Sequence, residues 1–274
     1  MGKSNSYRLL QAILRKIPDK ALLVFKPLLR NKIYGLCNGY WMEFDLGEQI
    51  QRQVYCGRYE TVQSGWAKEV LNVGGTFLDV GANVGYYTTL AASLVGKQGK
   101  VLAFEPSPFA YRKLASIIKG NGISQIEAFQ CAAGDKEEML DLYLSNQTQI
   151  HSPSLVPSDA AFTPVKVQVC RLDAHSSLRS MRSIDLMKLD VEGFEPNVIR
   201  GMSDHLGKGY VKYLLCEFNS GWLEPNKSSC SQLLQLIQDL GFVVYKETPN
   251  ATPVGANGAF YQHRDILFKH ITCR

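Results

Sequence analysis

Lys188, Asp190 and Glu192 alternate at the end of an apolar run, SIDLMKLDVEGFEP (Ser183 to Pro196). Alternate side chains of an extended segment share one side, so an amine and two carboxylates would face the same space. That set suits a hydroxyl nucleophile: a carboxylate removes the proton and the ammonium stabilises the alkoxide, a contribution of about 10² to 10⁴ in rate. Asp190 is the first choice of base, with Glu192 beside it and Lys188 as the stabilising cation. Glu217 closes a second apolar run, YLLCEF (Tyr213 to Phe218), where it would bind acceptor hydroxyls or complete the carboxylate cluster. His151, in the polar stretch NQTQIHSPSLVPSD, is a further candidate base over the acceptor. The competing structural reading is that Asp190 only holds a cofactor and Lys188 only pairs with an acid.

A binding element stands upstream. TFLDVGANVG (Thr76 to Gly85) reads as a buried strand, a tight turn with glycines at Gly81 and Gly85, and the start of a helix. Gly81 would let backbone approach a ligand, Gly85 would let the helix sit close to its strand, and the helix N-terminus offers unpaired N–H groups. A dinucleotide fingerprint needs glycine where Asn83 stands, and Asp79 would repel a pyrophosphate while suiting a ligand with an amino group. A second strand, VLAFEP, ends in Glu105, placed to accept from a ribose diol. Together Asp79, Asn83 and Glu105 favour S-adenosylmethionine over a nicotinamide dinucleotide. Ala132 and Ala133, at the exit of a third strand (IEAFQCAAGD), would face the adenine.

DVGANVGYYT, AFEPSP, KLDVEGFEPNVIRG and LLCEF follow one another in order, and together they resemble the FkbM-type S-adenosylmethionine-dependent methyltransferases. The likeness runs from about Gly57 to Phe218 and weakly to Asp265–Phe268. It implies a Rossmann-like class I methyltransferase fold: a mostly parallel seven-stranded sheet with helices on both faces, here with a basic helical N-terminal arm. It also implies O-methylation of a glycan, polyketide or related metabolite. By the same resemblance the segment ahead of the first core helix lies beside the cofactor, making Glu60 a candidate contact, and Ser107 of AFEPSP joins the cofactor set. The family usually carries an asparagine near Ile117, at the floor of the adenine pocket. Two other readings stand beside this one: an RNA 2′-O-methyltransferase, and an adaptor that binds S-adenosylmethionine without transferring methyl. No D-x-D or histidine pair supports a metal site.

The elements that must hold these residues follow from the pattern. Strand-like and helix-like segments alternate from Val62 onward, as in a parallel sheet covered on both faces. Met139–Leu144 and Val165–Cys170 alternate at period two, as an antiparallel pair outside the parallel core. The chain divides at residue 56, into an arm with a hairpin-like extension (1–56) and the methyltransferase domain (57–274). At 274 residues it can bury a sizeable core; its seven cysteines form no C-x-x-C pair, and the thiols are expected reduced. No segment reads as a membrane span or a signal core, so the expected location is the cytoplasm.

Charge is concentrated at the start. Residues 1–32 hold eight Lys or Arg and one acid, a net +7; the whole chain is +5, so the remaining 242 residues sum to −2. Nucleic acid is therefore disfavoured as a partner, and the acceptor is expected to be a small molecule or glycan. Leu9, Leu10, Ile13, Leu14 and Ile17 recur at helical spacing among the charges. The favoured expectation is a cap helix that packs this apolar face on the domain; the alternative is peripheral contact with an anionic membrane through residues 1–32.

Overall fold

The computed structural model describes residues 2–18, 21–22, 33–145, 162–250 and 262–273. Its centre is a seven-stranded sheet built from β3 (Thr76–Val80), β4 (Lys100–Phe104), β5 (Ile126–Phe129), β9 (Ile184–Leu189), β10 (Val211–Asn219), β11 (Phe242–Glu247) and β12 (His263–His270). The spatial order is β11-β12-β10-β9-β3-β4-β5, and β12 alone runs against its neighbours. The central strands are near-continuous apolar runs because both of their faces are covered. Leu78, Val80, Met187, Leu189, Leu214 and Phe218 pack on one face, and Phe77, Leu186, Leu215 and Leu267 on the other. Strand order reverses between β3 and β9, and that reversal leaves a crevice at the carboxyl ends of the strands.

Short connections set the helices. α4 (Tyr86–Val95) returns the chain from β3 to β4. α5 (Pro108–Asn121) follows β4, with Ser107 as its N-cap and proline in its first turn. Before them, α2 (Gln49–Cys56) and α3 (Thr61–Val70) lead in from the N-terminal hairpin β1 (Ile33–Cys37) and β2 (Tyr40–Phe44). Met42, Phe44 and Leu46 share one apolar cluster with Phe77, Leu90 and Val95, so the hairpin extends the core of the sheet.

Two expectations change. The stretch IEAFQCAAGD is not one strand. β5 stops at Phe129, the chain turns through Gln130 and Cys131, and Ala132–Ala133 (β6) pairs instead with β8 (Phe162–Cys170). β8 in turn pairs antiparallel with β7 (Glu138–Ser145), forming a three-stranded sheet beside the main one. The exit brings Cys131, Ala132 and Ala133 to the wall of the crevice.

The N-terminal helix α1 (Gly2–Leu14) also docks otherwise than expected. Its inward face is led by a glutamine: Gln11 Nε2 donates to the Leu36 and Tyr55 carbonyls, and Gln11 Oε1 accepts from the Leu36 N–H, each at 2.9 Å. Leu14 is buried beside it, whereas Leu9, Leu10 and Ile13 stay 65%, 37% and 50% exposed. Three hydrogen bonds to backbone groups of Leu36 and Tyr55, whose carbonyls also accept from the Arg15 guanidinium, override the apolar periodicity.

α6 (Glu195–Gly201) closes against β6 by backbone contact. A Cβ on Gly201 would lie 1.9 Å from the Gly134 carbonyl oxygen, with no flexible side chain able to give way. Gly201→Ala should therefore destabilise the fold by about 1–3 kcal/mol through overpacking. A melting temperature equal to that of the unsubstituted protein would contradict this packing.

Candidate active site

The turn after β3 is constrained by its neighbours. Gly81 has φ +85°, and a Cβ there would sit 1.8 Å from the Asp190 carbonyl oxygen. The exits of β3 and β9 thus run in backbone contact, and only glycine fits between them. Two residues on, the Asn83 N–H donates to Glu105 Oε2 at 2.7 Å, while the Ser107 N–H donates to Oε1 at 2.7 Å. Glu105 is thereby fixed at the end of β4. Burial pushes its carboxyl up to about 7, against the pull of these two N–H groups.

Asp79 is fully buried, with one oxygen accepting from the Thr88 hydroxyl at 2.6 Å; burial pushes its carboxyl up to about 6, against the Lys188 ammonium. Its second oxygen, Oδ1, has no hydrogen-bond partner among the described residues, and neither does Asn83 Oδ1. Orphaned buried acceptors on the wall of a cleft mark where a donor belongs. The ammonium of the cofactor's amino-acid end would meet that need, the paired Glu105 oxygens retain lone pairs that would accept from a ribose diol, and Ala132, Ala133, Phe104 and Leu142 line the cleft where they would form an apolar wall for adenine. The residues present fit S-adenosylmethionine.

The opposite side of the cleft is built around a buried cation. Register pairs Asp79 with Lys188 and Lys188 with Leu215. Period-two alternation then places Asp79, Lys188 and Glu217 on one face of the sheet at its carboxyl edge. Lys188 Nζ donates to Asp190 Oδ2 at 2.6 Å and lies 4.9 Å from the centre of the Tyr87 ring. Burial works against the ammonium, but Asp190, Glu60 and Asp79 outweigh it and hold it well above the ordinary lysine value. Glu60, in left-handed conformation ahead of α3, accepts from the Tyr87 hydroxyl at 2.7 Å, and burial raises its carboxyl.

Glu217 carries the set outward. Its Oε1 lies 2.8 Å from His263 Nε2, and Asp265, its register partner on β12, accepts from Gln63 Nε2 at 2.6 Å. Burial, reinforced by Asp190, raises the Glu217 carboxyl; the hydrogen bond to Glu217 in turn raises His263.

Of the residues expected from sequence, Glu60, Asp79, Gly81, Asn83 and Glu105 line this cleft together with Ala132 and Ala133. Lys188, Asp190, Glu192 and Glu217 line it too. Glu192 does so by a different route from the one expected: with φ +52° it turns the chain left-handed, so the Lys188–Glu192 alternation ends at Asp190. Gly85 and Ser107 stand behind the cleft wall. Gly85 starts α4 against Leu114, where a Cβ would come within 2.6 Å, and buried Ser107 caps α5. Ile117 packs in the core cluster that holds the hairpin and does not reach the cleft. His151 lies outside the described residues.

Sequence reasoning passed over three contributors. Tyr87 follows the glycine turn directly, where its position was a usable signal. Glu195 Oε1 accepts from the Val191 and Gly193 N–H groups at 3.0 and 3.3 Å and ties the turn after β9, a local i to i+4 pattern that was also readable. His263 had no local signal, since only the antiparallel register of β12 brings it to Glu217.

The chain is similar to known methyltransferases. The family model described as the methyltransferase FkbM domain matches residues 79–244. Methyltransferase 1 of Beauveria bassiana is 26% identical over 198 residues, covering 64% of this chain and 75% of its own length. The 2-O-methyltransferase NoeI of Sinorhizobium fredii is 26% identical over 181 residues, covering 61% and 72%. A crystal structure of methyltransferase FkbM from Methylobacillus flagellatus aligns with TM-score 0.41 at 13% identity, over 79% of this chain and 54% of that one. With its cleft fitted to S-adenosylmethionine and the family model spanning most of the sheet, the chain belongs to the FkbM family of S-adenosylmethionine-dependent methyltransferases.

Proposed function

We propose that this methyltransferase acts on oxygen, transferring the methyl group to a hydroxyl of a glycan, polyketide or related small metabolite. One observation carries the reading: a buried lysine held cationic beside Asp190, on the same sheet face as a carboxylate paired to a histidine. A sulfur or amine nucleophile would have little use for a cation at that place; a hydroxyl becoming an alkoxide would. The name of the relative NoeI, a 2-O-methyltransferase, supports it. A ribose hydroxyl of RNA presents the same chemistry, but binding a polyanion needs cations along its path, and outside residues 1–32 the chain sums to −2.

When bound, the cofactor supplies an activated methyl on a sulfonium, so the protein's work is alignment and proton removal. Asp79 takes the ammonium, Glu105 the ribose diol, and Ala132 with Ala133 the base. On the acceptor side Asp190 is engaged by Lys188 Nζ and keeps that cation in place. Glu217 receives the hydroxyl proton, and His263, 37% exposed at the rim, passes it to solvent. Lys188 stabilises the oxygen as it loses that proton.

Three outcomes check this reading. Incubating the protein with isotopically labelled S-adenosylmethionine and glycan or metabolite extracts should give a product whose label mass spectrometry places on oxygen; label on nitrogen or carbon would overturn the proposal. Glu217→Gln should cut turnover by roughly 10² to 10⁴ while calorimetric affinity for the cofactor stays within a few-fold; Lys188→Met should cut turnover as much and, by removing the cation beside Asp79, also weaken cofactor binding. Because Glu217 is raised above the ordinary carboxylate range, activity should climb with pH past that range, and Glu217→Gln should remove the climb. Cofactor affinity has its own titration: Asp79 binds an ammonium when ionised, so affinity should fall as pH drops through about 6. Asp79→Asn should bind weakly at every pH, and an unaltered pH profile in that variant would refute the assignment.

A further inference from the structure

The docking of α1 leaves a feature that the methyl-transfer reading does not use. Gln11 and Leu14 face inward, and the Arg58 guanidinium donates to the Arg15 and Ile17 carbonyls just past the helix end, at 2.8 and 2.6 Å. The helix is therefore held in one rotational setting. In that setting Leu9, Leu10 and Ile13, at i, i+1 and i+4, form one continuous apolar stripe in solvent. A stripe of large aliphatic side chains turned outward by a buried polar anchor is the reverse of ordinary core packing, and exposed apolar patches of this kind mark contact surfaces.

The charge around the stripe says what covers it. Residues 1–18 contain no acid; Arg8, its guanidinium 5.9 Å from the centre of the Trp41 ring, and Lys16 are exposed before and after the stripe along the chain, and residues 1–32 carry net +7 against −2 for the rest. An aliphatic stripe bordered by cations is complementary to a surface that is apolar within and anionic at its edge. Another copy of this helix would bring like charges together. No helix among the described residues is long and apolar enough to cross a membrane, so such a helix would lie in the interface plane rather than span it.

We infer that α1 docks the protein on an anionic lipid bilayer, with Leu9, Leu10 and Ile13 inserted among the acyl chains and Arg8 and Lys16 at the phosphate level. Anionic lipid attracts such cations electrostatically, and the attraction weakens with salt. The inference stands apart from the choice of methyl acceptor, since none of these residues lines the cleft.

Co-sedimentation of the full chain with vesicles tests it. Phosphatidylcholine vesicles containing phosphatidylglycerol should retain several-fold more protein than phosphatidylcholine alone, and high salt should release it. The double substitution Leu9→Glu, Ile13→Glu should lower retention on the anionic vesicles roughly tenfold or more. Arg8→Glu with Lys16→Glu should do the same with the stripe intact. Leu9→Glu, Ile13→Glu alters only exposed side chains, whereas Arg8→Glu also removes the contact of Arg8 with the Trp41 ring; a retained cooperative melt and unchanged S-adenosylmethionine affinity show for each variant that the fold survives. Equal retention on both vesicle types, retention on neither, or full retention of the Leu9→Glu, Ile13→Glu variant would overturn the inference. So would a concentration-dependent dimer, seen without lipid, that those two glutamates dissolve, because the stripe would then be covered by a second copy.

Discussion

A lysine ammonium removed from water is tolerated only where carboxylates surround it, and the active-site half of this protein is arranged around that requirement at Lys188. An unpaired buried charge is costly by several kcal/mol. Lys188 has Asp190 at hydrogen-bonding distance, Asp79 as its register partner across β3, and Glu60 reaching in from the segment ahead of α3. The acids have requirements of their own. Each is pushed towards its neutral form by burial unless a donor or cation holds it, so Glu60 takes the Tyr87 hydroxyl and Asp79 the Thr88 hydroxyl. A change at any one member shifts the others, because few of these charges face bulk water.

Backbone strain collects at the same place. Among the described residues five other than glycine have positive φ, and three of them, Glu60, Asn83 and Glu192, line the cleft. Such conformations cost of order 1–3 kcal/mol each and persist only where surrounding contacts over-determine them. Here the contacts are visible: Glu105 binds the Asn83 N–H, and Glu195 binds the N–H groups on both sides of Glu192. Strained turns held by buried carboxylates give the cleft a fixed shape before any ligand arrives, which is what alignment of a methyl donor with its acceptor requires.

The N-terminal region shows how a polar contact can overrule a hydrophobic pattern. Helical spacing of Leu9, Leu10, Ile13, Leu14 and Ile17 argued for an apolar inward face, yet the backbone groups of Leu36 and Tyr55 bring Gln11 inward beside Leu14. Periodicity states that a helix is amphipathic; it does not state which face the rest of the chain will need. The cysteines teach a related lesson. None of the seven forms a disulfide, and Cys131, expected inside a strand, sits in the turn where β5 gives way to β6 and lines the cleft.

What could be read before folding was whatever a short window contains. Apolar runs bounded by turn residues identified β3, β4, β9 and β10, and the glycine turn with its flanking acids identified the cofactor pocket, because burial, turn geometry and ligand approach all act on neighbouring residues. Face-sharing across strands, by contrast, depends on sheet order and register, which local residue types do not encode. So the pairing of Glu217 with His263, the retreat of Gly85 and Ser107 behind the wall, the crossing of Ala132–Ala133 into a second sheet and the outward turn of Leu9, Leu10 and Ile13 emerged only when distant segments competed for the same surface and the same hydrogen bonds.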